Sequence, residues 1–261
     1  GSIKHDELIG KSEGSVITST GNMIYLALRP LLLDFVLSMP RGAAVVYPKD
    51  AAAIVGLADV YPGCVVVEAG VGSGALTCSL LRAVGSAGFV YSFERRDDFA
   101  KIAQKNVKNF FGEMPTNWQV TLGDLQDEVT QLPEASVDRV VLDMLAPWEC
   151  IDSIAAVIRP GGVLIAYVAT TTQMSRFVED LRLDKRWTNP EGQELIQRPW
   201  HLEGLAVRPN HRMQGHTGFL VTARKLAPGT VLPTRRIRPT KGALDNVAVS
   251  SLPESTDQEL L

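Results

Sequence analysis

The sequence predicts an α/β fold, a doubly wound, largely parallel sheet, and three observations predict it. Short apolar runs of strand length alternate with stretches of helical periodicity between residues 46 and 225. The run Val65-Val66-Val67 leads into Glu68-Ala69-Gly70-Val71-Gly72-Ser73-Gly74, a glycine-rich turn that opens an apolar helix. Four successive runs each carry an acid at the carboxyl end (Glu68, Glu94, Asp124 and Asp143), the end at which open α/β sheets bind ligands.

Each element has its own signal. Residues 1–45 contain strand-like pieces, Ser15–Thr18 and Met23–Leu28, set off by Gly14 and Gly21, and read as a small β module leading through Leu31–Met39 into the core. Phe89–Glu94 is a second buried strand. The helix Asp97–Phe111 follows, with an Asp cap, apolar positions Phe99, Ile102, Ala103, Val107 and Phe110, and Gly112 as its stop. Trp118–Asp124 and Val137–Asp143 are the third and fourth strands. Pro147-Trp148 starts a helix that runs to Arg159, and Pro160-Gly161-Gly162 turns into the strand Val163–Ala169. A helix over Gln173–Leu183 and late strands over His201–Val207 and His216–Lys225 complete the sheet. Residues 227–261, rich in Pro, Thr and charge, read as a flexible tail, basic first (Arg235, Arg236, Arg238, Lys241) and acidic last. The domains are therefore 1–45, an N-terminal β module; 46–226, the catalytic domain; and the tail.

Chemistry narrows the ligand. Glycines at the strand–helix turn let the backbone approach a ligand closely, and the helix N-terminus faces it. A G-x-G-x-G alone does not separate dinucleotide enzymes from others, but Glu68 does. A carboxylate there repels a pyrophosphate and suits a cofactor bearing an ammonium and a sulfonium, which is S-adenosylmethionine. Glu94 at the second strand tip could accept both ribose hydroxyls, and Asp124 the adenine amino group. The candidate cofactor residues are Glu68, Gly70, Gly72, Ser73, Gly74, Ala75 and Leu76 from the turn, with Glu94, Arg95, Asp124, Leu125 and Asp143 beyond it.

Composition bounds the rest. The 261 residues are 45% hydrophobic, enough for a substantial core in one large domain. No apolar run approaches the roughly 20 residues that span a bilayer. Cys64, Cys78 and Cys150 are scattered, and fit buried thiols in a reducing cytoplasm rather than a disulfide or a zinc site. No His–Cys–Asp clustering suggests a metal. The net charge of −3 requires any nucleic-acid partner to be met by a local basic patch.

Tyr47-Pro48-Lys49-Asp50, Glu68–Gly74 with Ala75-Leu76-Thr77, Leu142–Trp148, and Gly215-His216-Thr217 together resemble the TrmI family over roughly residues 1–226. Arg41-Gly42 ahead of the first block is similar to actinobacterial members. Further β-strands usually precede the segment corresponding to residues 1–6, so the N-terminal module is expected to be incomplete. The resemblance implies a class I S-adenosylmethionine-dependent methyltransferase fold, Rossmann-like with a seven-stranded sheet. It further implies a tRNA methyltransferase acting on N1 of the adenosine at position 58 in the T loop, assembled as a homotetramer.

That reaction makes demands the residues can be read against. Adenine N1 is a poor nucleophile whose product is a cation, so a carboxylate accepting from the N6 amino group would stabilise the charge that develops. Asp143 stands at the right strand tip, and the resemblance gives it the same role; the alternative is a cap for the Pro147 helix. The base must also be extracted and walled. By resemblance Tyr47 and Tyr167 are the walls, though each could be a core tyrosine. Lys49, Arg208, His211 and Arg212 could contact phosphate. His216 reads as structural. Two other readings stay open: a methyltransferase of a protein carboxylate or small molecule, and a non-catalytic tRNA-binding subunit.

Overall fold

The computed structural model describes residues 1–233. Residues 1–230 form one compact unit. At its start β1 (Ser15–Thr18) and β2 (Ile24–Ala27) pair antiparallel as a hairpin, and α1 (Leu32–Ser38) and α2 (Pro48–Leu57) lead into the sheet. Pro48 occupies the first helical position of α2, where its missing N–H costs nothing.

The central sheet then alternates β3 (Val65–Ala69), α3 (Ala75–Val84), β4 (Phe89–Glu94), α4 (Asp97–Phe111), β5 (Trp118–Leu122), α5 (Leu125–Glu128) and β6 (Val137–Asp143). It continues through α6 (Ile151–Val157), β7 (Ile158–Val168), α7 (Thr171–Asp184), β8 (Glu191–Glu194) and β11 (Phe219–Arg224). Its seven strands lie in the order β5-β4-β3-β6-β7-β11-β8. The first five are parallel, and β11 runs antiparallel between β7 and β8. Successive strands leave β3 in one direction through β4 and return on its other side through β6. The crevice at the carboxyl ends of β3 and β6 is thus the topological switch point. Two buried layers cover the faces: one includes Leu142, Ile154, Leu164 and Phe177, the other Ile54, Leu80, Val107 and Ile165. This is the seven-stranded fold of class I methyltransferases.

Several boundaries differ from the sequence reading. The helix after Pro147 begins as a 3-10 turn (Pro147–Cys150), becomes α6 and stops at Val157. Ile158 already pairs with Val137, so Pro160-Gly161-Gly162 lies within a β7 that carries a register shift. Thr170, ahead of the expected start of α7, accepts the N–H of Gln173 and caps that helix. His201–Val207 is not one strand. It is a hairpin of β9 (Trp200–Glu203) and β10 (Ala206–Pro209), turned at Gly204, outside the central sheet. The cap of α4 is Arg96, not Asp97, whose carboxylate pairs with Lys101 one turn on.

Candidate active site

The turn after β3 is a loop that only glycine can make. Gly70, Gly72 and Gly74 hold φ of +83°, +55° and +80°. At Gly70 a Cβ would land on the carbonyl oxygen of Asp143, so the two strand tips meet backbone to backbone. The turn opens a cavity of about 600 Å³ at the switch point, walled by Gly70, Gly72, Glu94, Arg95, Leu125 and Asp143. Of the sequence-predicted residues, these six converge on one space. Ala75 and Leu76 line a small adjoining recess together with Ser73 and Asp143. Gly74 is the left-handed residue that starts α3, packed against the backbone of Ala103.

Glu94 closes the loop from the side. Its Oε2 accepts the N–H of Gly72 and its Oε1 that of Arg96, both at 3.0 Å, so one carboxylate ties the glycine turn to the start of α4. The Arg95 guanidinium pairs with Asp124 at the open rim. Asp124 itself caps α5 in extended conformation without a side-chain hydrogen bond to the helix.

Glu68 stands elsewhere than expected. It is the fourth residue of β3, wholly buried beneath the loop, and does not line the cavity. Its oxygens accept from Thr77 Oγ1 at 2.8 and 3.0 Å and from Ser92 Oγ at 2.6 Å. Burial pushes its carboxyl up to about 7 despite those hydroxyls, and the charges of Asp143 and Glu94 add to the rise.

Asp143 is the group with unspent chemistry. It ends β6 facing the cavity, and among the described residues none hydrogen-bonds its carboxylate. Burial pushes its carboxyl up to about 7, with the nearby Glu94 charge a second cause. A perturbed acid at a cavity, with no hydrogen-bond partner among the described residues, is a candidate functional group. It does not cap the helix after Pro147, whose N-cap is Ala146.

Tyr47 precedes α2 and lines a separate apolar groove of about 740 Å³ between α1, α2 and α3. Tyr167, near the end of β7, donates its hydroxyl to the carbonyl of Thr217 at 2.6 Å. Burial, then the Asp50 charge, pushes its phenol up to about 12, so it stays protonated.

Lys49 is not a phosphate ligand. Its ammonium is enclosed, with bonds to Asp50 (2.7 Å), Thr217 (2.7 Å) and the Leu195 carbonyl (2.8 Å). Arg208 and Arg212 are exposed at and beyond β10. The basic residues Arg235, Arg236, Arg238 and Lys241 lie outside the described residues. His216 bridges Glu194 at 2.6 Å and the Ala169 carbonyl at 3.0 Å, as a structural residue would.

Sequence reasoning missed Ala43, Ala44 and Phe99, which complete the cavity wall. The small-residue run Gly42-Ala43-Ala44 was the available signal, because the segment crosses close above Gly72. Among the described residues no His, Cys, Asp and Glu cluster could hold a metal.

Residues 23–204 match the family model described as the tRNA methyltransferase complex GCD14 subunit. The tRNA (adenine(58)-N(1))-methyltransferase TrmI of Thermus thermophilus is 36% identical over 231 residues, covering 86% of each chain. Among solved structures, a TrmI from Aquifex aeolicus superposes with TM-score 0.77 at 30% identity, covering 86% of each chain. A protein from Thermotoga maritima titled a SAM-dependent O-methyltransferase superposes with TM-score 0.80 at 31% identity, over 86% of this chain and 82% of that one.

Proposed function

This chain belongs to the family of the tRNA methyltransferase complex GCD14 subunit, and on that premise we propose that it methylates N1 of adenosine 58 in tRNA. S-adenosylmethionine is the methyl donor in this reading, and when bound it supplies an electrophilic methyl group on a sulfonium. The residues present fit it. A glycine cradle that a Cβ would fill, an acid at the tip of β4 and a cavity of about 600 Å³ are what an adenosine with a cationic tail requires. Glu94 takes the ribose hydroxyls, and Asp124 with Leu125 the adenine edge. The loop Gly70–Gly74, with Ala75 and Leu76, holds the amino-acid end. Glu68 acts from below by fixing the loop through Thr77 and Ser92.

One observation carries the catalytic part: the Asp143 carboxylate faces the cavity, and none of the described residues hydrogen-bonds it. An exocyclic N6 amino group supplies the missing donors. Ionised Asp143 then draws positive charge away from N1 as the N–C bond forms, an electrostatic stabilisation realised mainly in the transition state. The walls of the extracted base fall, in this reading, to Tyr47 from the groove between α1, α2 and α3 and to Tyr167 from β7, where it pairs with Asp143.

The catalytic domain is residues 46–226, behind the β module of 1–45. Assembly as a homotetramer belongs to this reading, and exposed apolar side chains on β2 (Ile24, Leu26) and on the β9–β10 hairpin (Trp200, Leu202, Leu205) support an association surface. Three buried free thiols support a reducing, cytoplasmic setting. Phosphate contact falls to exposed Arg208 and Arg212, and the apparent tRNA affinity should fall linearly in log–log form with added salt.

The test is methyl transfer from labelled cofactor to unmodified tRNA, beside a transcript with guanosine at position 58. Label confined to the first, recovered as N1-methyladenosine, is the expected result. Label on neither RNA, with cofactor bound, would overturn the reading and favour the acceptor chemistry named for the Thermotoga protein.

A further inference from the structure

Two short segments 168 residues apart meet in one buried network. Lys49 and Asp50 open α2, and Thr217 stands between β10 and β11. The Lys49 ammonium makes three hydrogen bonds, to Asp50 Oδ1, Thr217 Oγ1 and the carbonyl of Leu195. Thr217 Oγ1 passes its own proton to Asp50 Oδ2 at 2.7 Å. The side chains of Lys49 and Asp50 are only 8% and 1% exposed, so both charges are matched out of water.

The network has two ends, and each is a tyrosine. At one, the Thr217 carbonyl accepts the Tyr167 hydroxyl, while Gly218 leaves room for the ring: a Cβ there would overlap Cζ of Tyr167. At the other, the Tyr47 carbonyl accepts the N–H groups of Asp50 and Ala51, both at 2.9 Å, so Tyr47 is fixed by the helix turn that carries Lys49 and Asp50. A buried ion pair is weak evidence for stability, since apolar residues of similar volume often serve as well. What an apolar replacement lacks is direction: each bond here fixes one backbone segment against another.

We propose that Lys49, Asp50 and Thr217 form a brace that sets the place of Tyr167 relative to Tyr47, making them positioning residues for the target base. This rests on the reading that the two tyrosines wall that base. The groups that meet Lys49, Asp50 and the Thr217 hydroxyl come from α2 and the segments flanking β8 and β11; Tyr167 joins from β7, and none comes from the glycine loop or β4. Loosening it should therefore move the base walls and leave the cofactor cavity as it is.

The test is a set of five variants, four single and one double, with kcat and KM for unmodified tRNA, cofactor affinity by calorimetry, and thermal stability. Thr217→Val removes the hydroxyl at nearly constant volume, and Thr217→Ser restores it. A misplacement on the order of 1 Å can cost about 100-fold in rate, so Thr217→Val should lower kcat by about 10- to 100-fold with cofactor affinity unchanged, and Thr217→Ser should recover most of it. Gly218→Ala pushes on the Tyr167 ring without touching the brace and should reproduce that pattern. Combined with Tyr167→Phe, Thr217→Val should add little to the loss that Tyr167→Phe causes alone, because both act through one ring. A folded Thr217→Val with wild-type kcat, or losses that multiply in the double variant, would overturn the brace while leaving the assigned reaction standing. If the wild-type protein binds cofactor and methylates no tRNA, the assigned reaction falls first and the brace falls with it.

Discussion

Asp143→Asn keeps the shape of the side chain and removes the charge on which the assigned chemistry depends. Burial, with the Glu94 charge adding to it, holds the wild-type carboxyl near 7, so without a bound cation it is about one-tenth ionised at pH 6 and about nine-tenths at pH 8. Because the ionised form is the acceptor for the N6 amino group, the single-turnover rate should rise with pH over this interval, by about tenfold at most. The sulfonium of a bound cofactor favours the ionised form and shifts the limb toward lower pH, which makes tenfold the upper bound. The amide can still accept a hydrogen bond but cannot balance a cation, so Asp143→Asn should lose about 10²- to 10⁴-fold in rate. Its cofactor affinity should stay within a few-fold. The assay is transfer of labelled methyl to tRNA, with enzyme and cofactor saturating, from pH 6 to pH 8.5. A variant with undiminished rate refutes the role of Asp143. So does an acid limb that persists unchanged in Asp143→Asn, because another group would then be titrating.

Three further outcomes follow from the geometry. Glu94→Ala should weaken cofactor binding by about 1.5–3 kcal/mol, the scale of hydrogen bonds to a charged acceptor, and unchanged calorimetry would mean that β4 does not hold the ribose. Gly70→Ala forces a positive φ and an overlap with the Asp143 carbonyl, whereas Gly112→Ala at φ +84° meets only open space; melting curves should show the first clearly worse, beyond the roughly 1 kcal/mol that the backbone conformation alone costs. Glu68 is protonated below about 7 when folded and only below about 4.5 when unfolded, so wild-type stability is lost as pH rises between those values. Glu68→Gln has no such dependence, and urea titrations should show it gaining about 2–3 kcal/mol on the wild type between pH 5 and pH 8; a constant difference would mean that Glu68 ionises normally.

The strands that build the site were legible because they are buried on both faces. Val65–Ala69, Phe89–Glu94 and Val137–Asp143 are mostly apolar runs ended by turns, interrupted only by the buried Ser92, Asp138 and Arg139 before the acids at or near their ends, as parallel strands tend to be. β8 was not legible. Its residues Glu191-Gly192-Gln193-Glu194 are exposed and polar, and it is a strand because β11 pairs with it. The hairpin at Gly204 hid for a related reason, since β9 and β10 face solvent and carry no core alternation. At the site, motif spacing located Gly70, Glu94 and Asp143, which end or follow strands. It did not show that the Glu68 side chain is buried beneath the loop, because one position back along a strand reverses the face on which a side chain emerges. It misjudged Lys49 for a different reason: its partners Thr217 and Leu195 are brought near only by the closing of the sheet, which no local periodicity records.

The three thiols have a use that their burial creates. Cys78 sits within the first turns of α3, its N–H bonded to Gly74 at the glycine loop, and burial pushes its thiol up to about 12. Cys150, after the Asp143 strand tip, is pushed up to about 11, and burial raises Cys64 as well. A thiol in such surroundings is inert to an alkylating reagent until its segment opens, so its labelling rate is a clock for that opening. The chain thus carries native timers just beyond the glycine loop and beyond the Asp143 strand tip, and a third at the far end of β3. A ligand seated in the loop should slow the first timer more than the third, which protein labelled with and without S-adenosylmethionine would show.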